Sequence, residues 1–124
     1  MKKILIVDDE LHVAKVLKQF LERSGLQVAT AINGESALEA IGKDKPDVIV
    51  TDVQMPKMGG IELCETLQQS QPIFSGLIIL MTSRTDREIR IWLERQNNIE
   101  MMEKPLSMRR LLIRINDYFD NIGT

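Results

Sequence analysis

The chain has 124 residues, with 16 Lys+Arg against 18 Asp+Glu for a formal charge of -2, and 44% of it is hydrophobic. That length fits one domain, expected over residues 1–124, and the composition excludes a disordered chain and a blanket attraction to nucleic acid. A single cysteine excludes an internal disulfide, no Cys/His spacing resembles a zinc site, and no apolar run approaches the roughly 20 residues needed to span a bilayer, so the expectation is a reduced cytoplasmic domain.

The first apolar run, residues 4–7, stops at Asp8 and Asp9 and reads as a strand buried on both faces. Val13, Val16, Leu17, Phe20 and Leu21 then form a helical stripe closed by Ser24-Gly25. A short strand over about 27–31 precedes a helix over about 35–41 that ends before Pro46. The third strand is 48–51. After Gly59-Gly60 a helix runs over about 61–69, stopping before Pro72. The fourth strand is 77–81, and a helix over about 86–96 carries Ile89, Trp92 and Leu93. Residues 99–103 form a fifth strand of mixed polarity. The last helix follows Pro105 with Ser107 as N-cap, and it buries Met108, Leu111, Leu112, Ile115 and Phe119.

Five strands alternating with five helices predict an α/β domain with one parallel sheet and right-handed crossovers. In such a sheet every strand's C-terminal end lies on one edge, where open α/β folds bind ligands. The residues at those ends are Asp8 and Asp9, Asp52, Thr82 and Lys104. In the order 2-1-3-4-5, taken from known doubly wound folds, the first and third strands are neighbours roughly 5 Å apart, and the three carboxylates converge. Carboxylates sharing a cleft repel, so a cation must offset them; a divalent metal and Lys104 are both candidates. All-oxygen donors with open water positions suit Mg2+ better than a dedicated Ca2+ cage. A carboxylate beside such a cation, a lysine and a hydroxyl makes a site for phosphoryl transfer, with Asp52 able to attack phosphorus.

The segments Ile6-Val7-Asp8-Asp9-Glu10, Val50-Thr51-Asp52-Val53-Gln54-Met55-Pro56 with Gly59-Gly60, Met81-Thr82-Ser83 and Glu103-Lys104-Pro105 follow one another across nearly the whole chain. Together they resemble the receiver domains of two-component response regulators, of the chemotaxis-regulator kind. The resemblance implies a flavodoxin-like three-layer (βα)5 sandwich with strand order 2-1-3-4-5. It implies that Asp52 is the phosphoacceptor, fed by a sensor histidine kinase or histidine phosphotransfer protein. Self-phosphorylation and autodephosphorylation would be its only catalysis. Asp9, Asp52 and the Gln54 carbonyl would hold Mg2+ directly and Asp8 through water. Lys104 would pair with the phosphoryl group, and Thr82 would swing toward it on activation. The family's aromatic ring three residues before the lysine is replaced by Met101, so Met101 is a switch position without a ring. Gln54 and Arg84 stand where the family varies the side chains beside the phosphoryl group, and a cation at Arg84 would prolong its lifetime.

Two competing readings are a degenerate receiver that binds partners without phosphorylation and a phosphatase of the haloacid dehalogenase type. The first would be expected to lose acidic-pocket residues, and none is lost. The second needs an Asp two residues after the nucleophile as general acid-base, where this chain has Gln54. Of the eight arginines all but Arg23 lie between 84 and 114. They mark the last two helices as a solvated face or as a docking surface for an acidic effector or a second receiver. Neither membrane contact nor direct nucleic-acid binding is expected of this domain. His12 reads as a surface histidine, Cys64 as a small buried side chain and Trp92 as packed on the sheet.

Overall fold

Successive strand residues face opposite sides of a sheet, and in this chain both sides are apolar. The computed structural model describes residues 2–69, 74–83 and 87–122. Strands β1 (Lys3–Val7), β2 (Gln27–Ala31), β3 (Val48–Asp52), β4 (Leu77–Thr82) and β5 (Ile99–Glu103) form one sheet in the order β2-β1-β3-β4-β5. Every pairing is parallel. Helices α1 (Leu11–Arg23), α2 (Gly34–Lys43), α3 (Gly60–Leu67), α4 (Arg87–Glu94) and α5 (Met108–Ile122) alternate with the strands. The architecture is the flavodoxin-like three-layer sandwich expected from the sequence.

Alternation divides the core in two. Ile4, Ile6, Val50, Ile79 and Met81 meet Leu17 and Leu21 of α1 and Leu111 and Ile115 of α5. Leu5, Val7, Ile49 and Leu80 meet Ala37 and Ile41 of α2 and Leu63, Cys64 and Leu67 of α3 on the other side. Trp92 and Leu93 of α4 join this second layer only half-buried, and α4 has no fully buried residue.

Local chemistry sets the helix ends. Gly25 closes α1 at φ +91°, its N–H donating to the Glu22 carbonyl at 3.0 Å, a conformation that costs glycine least. Asn33 caps α2 reciprocally: its side chain accepts the Ser36 N–H at 2.9 Å, and Ser36 Oγ accepts the Asn33 N–H at 3.2 Å. Ser107 Oγ accepts the Arg110 N–H at 3.2 Å, the cap expected for α5. The helix expected over about 86–96 is shorter at its C-terminal end. The Arg95 and Gln96 N–H groups turn back to the carbonyls of Trp92 and Leu93, and Asn98 adopts φ +66° ahead of β5. Asp86, where that helix was expected to begin, and Arg84 lie outside the described residues. Among the described residues no helix is long and apolar enough to cross a membrane.

Candidate functional site

Strand register carries the chain's polar strand ends to one level. Val7 pairs with Thr51, Asp52 with Met81 and Thr82 with Glu103. Backbone bonds tie these ends together: Asp8 N–H donates to the Ala31 carbonyl at 3.0 Å, Val53 N–H to Met81 at 3.1 Å, and Lys104 N–H to Thr82 at 2.8 Å. Behind Asp52 the loop folds back so that Gly60 N–H donates to the Val53 carbonyl at 2.9 Å. A Cβ at Gly59 would stand 2.7 Å from that carbonyl, and one at Gly60 would strike the carbonyl of Asp52 itself. Both glycines are therefore there for close approach of backbone to backbone.

The electrostatics of the cleft follow from burial. Asp8 is 0% exposed and Asp52 7%. Lys104 Nζ lies 3.1 Å from Asp52 Oδ2, 3.7 Å from Asp8 Oδ2 and 3.7 Å from Glu10 Oε1. Burial alone would lower the Lys104 pKa. The hydrogen bond and charge of Asp52, with Asp8 and Glu10 behind it, outweigh that and hold the ammonium above its ordinary range. Asp8 is raised as well, first by burial and further by Asp52 and Glu10, against the Glu10 N–H and Lys104. Its Oδ1 accepts the Glu10 N–H at 2.9 Å, whereas the buried Oδ2 has no hydrogen-bond donor among the described residues.

An orphaned, buried carboxylate oxygen is costly unless a cation meets it. Carboxylate oxygens of Asp8, Glu10 and Asp52 lie within 4.8 Å of one another. This is an all-oxygen donor set of the kind that hard divalent ions take. Asp9, exposed on the rim, lines a cleft of about 300 Å³ together with Asp52, Gln54, Thr82, Ser83 and Lys104. The structure thus brings Asp8, Asp52 and Lys104 into one charged group and sets Asp9, Gln54 and Thr82 around the same cleft. Met101 stands apart, half-buried on β5 opposite Leu80, beside a second pocket shared with Met102 and Arg110.

Glu10 is the member of the group to which sequence reasoning assigned no role. The signal was present, three consecutive acids ahead of a helix, but which of them turns inward depends on how α1 begins. His12 is exposed, as expected, and lines an apolar groove with Val13, Val16 and Leu106. Cys64 is buried, and burial pushes its thiol up to about 12. On the arginine-rich side, Arg114 is engaged within the molecule: Nε donates to Glu100 Oε1 at 2.6 Å and Nη2 to Oε2, with Asp117 Oδ2 3.9 Å from Nη1.

A five-stranded parallel sheet with a buried, lysine-paired aspartate at its C-terminal edge defines a receiver. The family model for the response regulator receiver domain matches residues 4–116, and the chain belongs to that family. The alkaline phosphatase synthesis transcriptional regulatory protein PhoP of Bacillus subtilis is 40% identical over 114 residues, 92% of this chain and 47% of PhoP. The DNA-binding transcriptional regulator NtrC of Escherichia coli K12 is 30% identical over 105 residues, 85% of this chain and 22% of NtrC. The chain thus spans about half, or less, of these relatives' length. Among solved structures, chemotaxis protein CheY4 of Vibrio cholerae superposes with a TM-score of 0.85 at 28% identity, covering 95% of this chain and 98% of that one. A two-component response regulator from Clostridium difficile reaches 0.91 at 23% identity over 100% of both chains, a likeness of fold.

Proposed function

We propose that the chain is the phosphoacceptor of a two-component phosphorelay, receiving a phosphoryl group on Asp52 from a histidine of a sensor kinase or phosphotransfer protein. The observation that carries this reading is the Asp52 carboxylate, sequestered at a strand end, 3.1 Å from Lys104 and facing an open cleft. An Asp52 oxygen forms a bond to phosphorus as the P–N bond of the donor breaks, its electron pair passing to the imidazole nitrogen. Lys104 offsets the charge on the phosphoryl oxygens, and the Thr82 hydroxyl donates to one of them. Asp8, Asp9 and Asp52, with the Gln54 carbonyl, would hold a divalent cation, Mg2+ by donor chemistry, which supplies further neutralisation of those oxygens. Gln54 has no group that titrates near neutral pH and so cannot serve as the general acid-base of a haloacid-dehalogenase-type phosphatase, which leaves slow autodephosphorylation as the route by which Asp52 loses the group.

Output in this reading passes through α4, β5 and α5, where α4 is lightly anchored and Arg109 and Arg110 are exposed. Met101, flexible and ringless, would follow Thr82 as it moves. An acidic effector or a second receiver fits that face, and the relatives' names point to transcription as the process controlled. Residence in the cytoplasm belongs to the same reading.

The test is intact mass after incubation with acetyl phosphate and Mg2+. Wild type is expected to gain one phosphoryl group, Asp52→Ala none, and Lys104→Ala one at a reduced rate. An equal adduct on Asp52→Ala would reject the assignment.

A further inference from the structure

We infer that Glu10 is a cation-holding residue of the acidic cleft, adding its side-chain carboxylate to those of Asp8 and Asp52. The inference rests on the reading above, that the cleft takes a divalent ion. One carboxylate oxygen of Glu10 lies within 4.8 Å of one from each of Asp8 and Asp52, whereas neighbouring Asp9, exposed on the rim, is not part of that group. The independent observation is Asp8 Oδ2, buried, without a hydrogen-bond donor among the described residues, on a residue that belongs to the same group of three.

Two features free Glu10 for this role. It occupies the N-cap of α1 with extended backbone, φ -83° and ψ 96°, yet its side chain caps no N–H among the described residues. The carboxylate is therefore not committed to the helix. Its side chain is 63% exposed, so drawing it a short way toward an ion costs little desolvation. Its backbone meanwhile fixes Asp8, through the 2.9 Å bond from Glu10 N–H to Oδ1, and leaves Oδ2 as the oxygen on the side of Lys104, 3.7 Å from its ammonium. One residue thus orients the buried ligand with its main chain and completes the donor set with its side chain.

Charge balance points the same way. Among the described residues Lys104 is the one cation paired with Asp8, Glu10 and Asp52, at 3.7, 3.7 and 3.1 Å, so there one positive charge serves three negative ones. A divalent cation closes that deficit, and Glu10, whose side chain is held among the described residues by one long contact to Lys104, is the carboxylate that changes partner most readily.

Calorimetric titration of Mg2+ at about 0.15 M salt, where remote charges are screened, tests this directly. Glu10→Gln is expected to weaken Mg2+ binding about fivefold relative to wild type, an effect of the size one nearby charge produces. Glu22→Gln, which removes the same charge from the far end of α1, is expected to stay within about twofold. An unchanged thermal midpoint of Glu10→Gln without Mg2+ excludes a folding defect as the cause. Binding by Glu10→Gln within about twofold of wild type would overturn the inference alone, as would an equal loss in Glu22→Gln. Wild-type protein that takes up neither Mg2+ nor a phosphoryl group would overturn the inference and the functional reading together.

Discussion

Asp8 holds a charge that its surroundings only partly answer. One oxygen has no hydrogen-bond donor among the described residues, burial raises its pKa, and Asp52 and Glu10 raise it further. Replacing it with the isosteric amide removes the repulsion and keeps the Glu10 N–H bond. Asp8→Asn is therefore expected to stabilise the metal-free protein by roughly 1 kcal/mol in urea unfolding, and to lack the stabilisation by Mg2+ that is expected of wild type. A loss of stability in metal-free buffer would mean that Lys104 already satisfies the carboxylate. Cys64 supplies a pH dependence of determinate sign. Its folded thiol keeps its proton to about pH 12, whereas the unfolded thiol ionises near 9.0. The unfolded state thus binds fewer protons above that lower value, and stability falls with rising pH by up to about 1.4 kcal/mol per unit in that window. Cys64→Ala is expected to lose this slope between about pH 9 and about pH 11; an unchanged slope would contradict the burial.

At the scale of elements, legibility followed burial. The apolar runs ending at Val7, Thr51 and Met81 marked β1, β3 and β4 because a strand covered on both faces must be continuously apolar. Their ends located Asp8, Asp52 and Thr82 without any knowledge of tertiary contacts. β5 was harder because it is an edge strand, with Met101, Met102 and Glu100 only half-buried. The C-terminal limit of α4 was missed because no side chain there is driven inward strongly enough to keep the helical period against the turn at residues 95–98. The same weakness has a measurable consequence. Amide exchange in α4 is expected to be faster than in α5, which buries Leu111, Ile115 and Phe119. Equal protection of the two helices would contradict the picture of α4 as a lightly held element. The loop after β3 is the opposite case. Gly60→Ala would drive a methyl into the Asp52 carbonyl, and both stability, by about 1–3 kcal/mol, and the phosphorylation rate are expected to drop. Retention of both would mean that the loop shifts without disturbing Asp52.

Over the whole molecule, the formal charge of -2 averages two unlike regions. An acidic cleft lies at the C-terminal edge of the sheet, and arginines gather on α4 and α5. The polarity was readable in the sequence; its internal bookkeeping was not. Arg114, counted there as a docking cation, is engaged by Asp117 one helical turn on and by Glu100, the latter a pairing between β5 and α5 that no local spacing announces. Glu10 was missed for a related reason, since its approach to Asp52 crosses from the N-cap of α1 to the end of β3. Contacts within an element are periodic in sequence, whereas contacts between elements appear only when the layers are assembled.

The central claim is that Asp52, alone among the carboxylates of the cleft, accepts the phosphoryl group. Borohydride treatment of the phosphorylated protein tests it at the bond itself, since hydride reduces an acyl phosphate to the alcohol with release of phosphate. Peptide mapping is then predicted to find homoserine in place of aspartate at position 52 and unmodified aspartate at positions 8 and 9. Homoserine at position 8 or 9, or none anywhere in protein that carries the phosphoryl mass, would contradict the account.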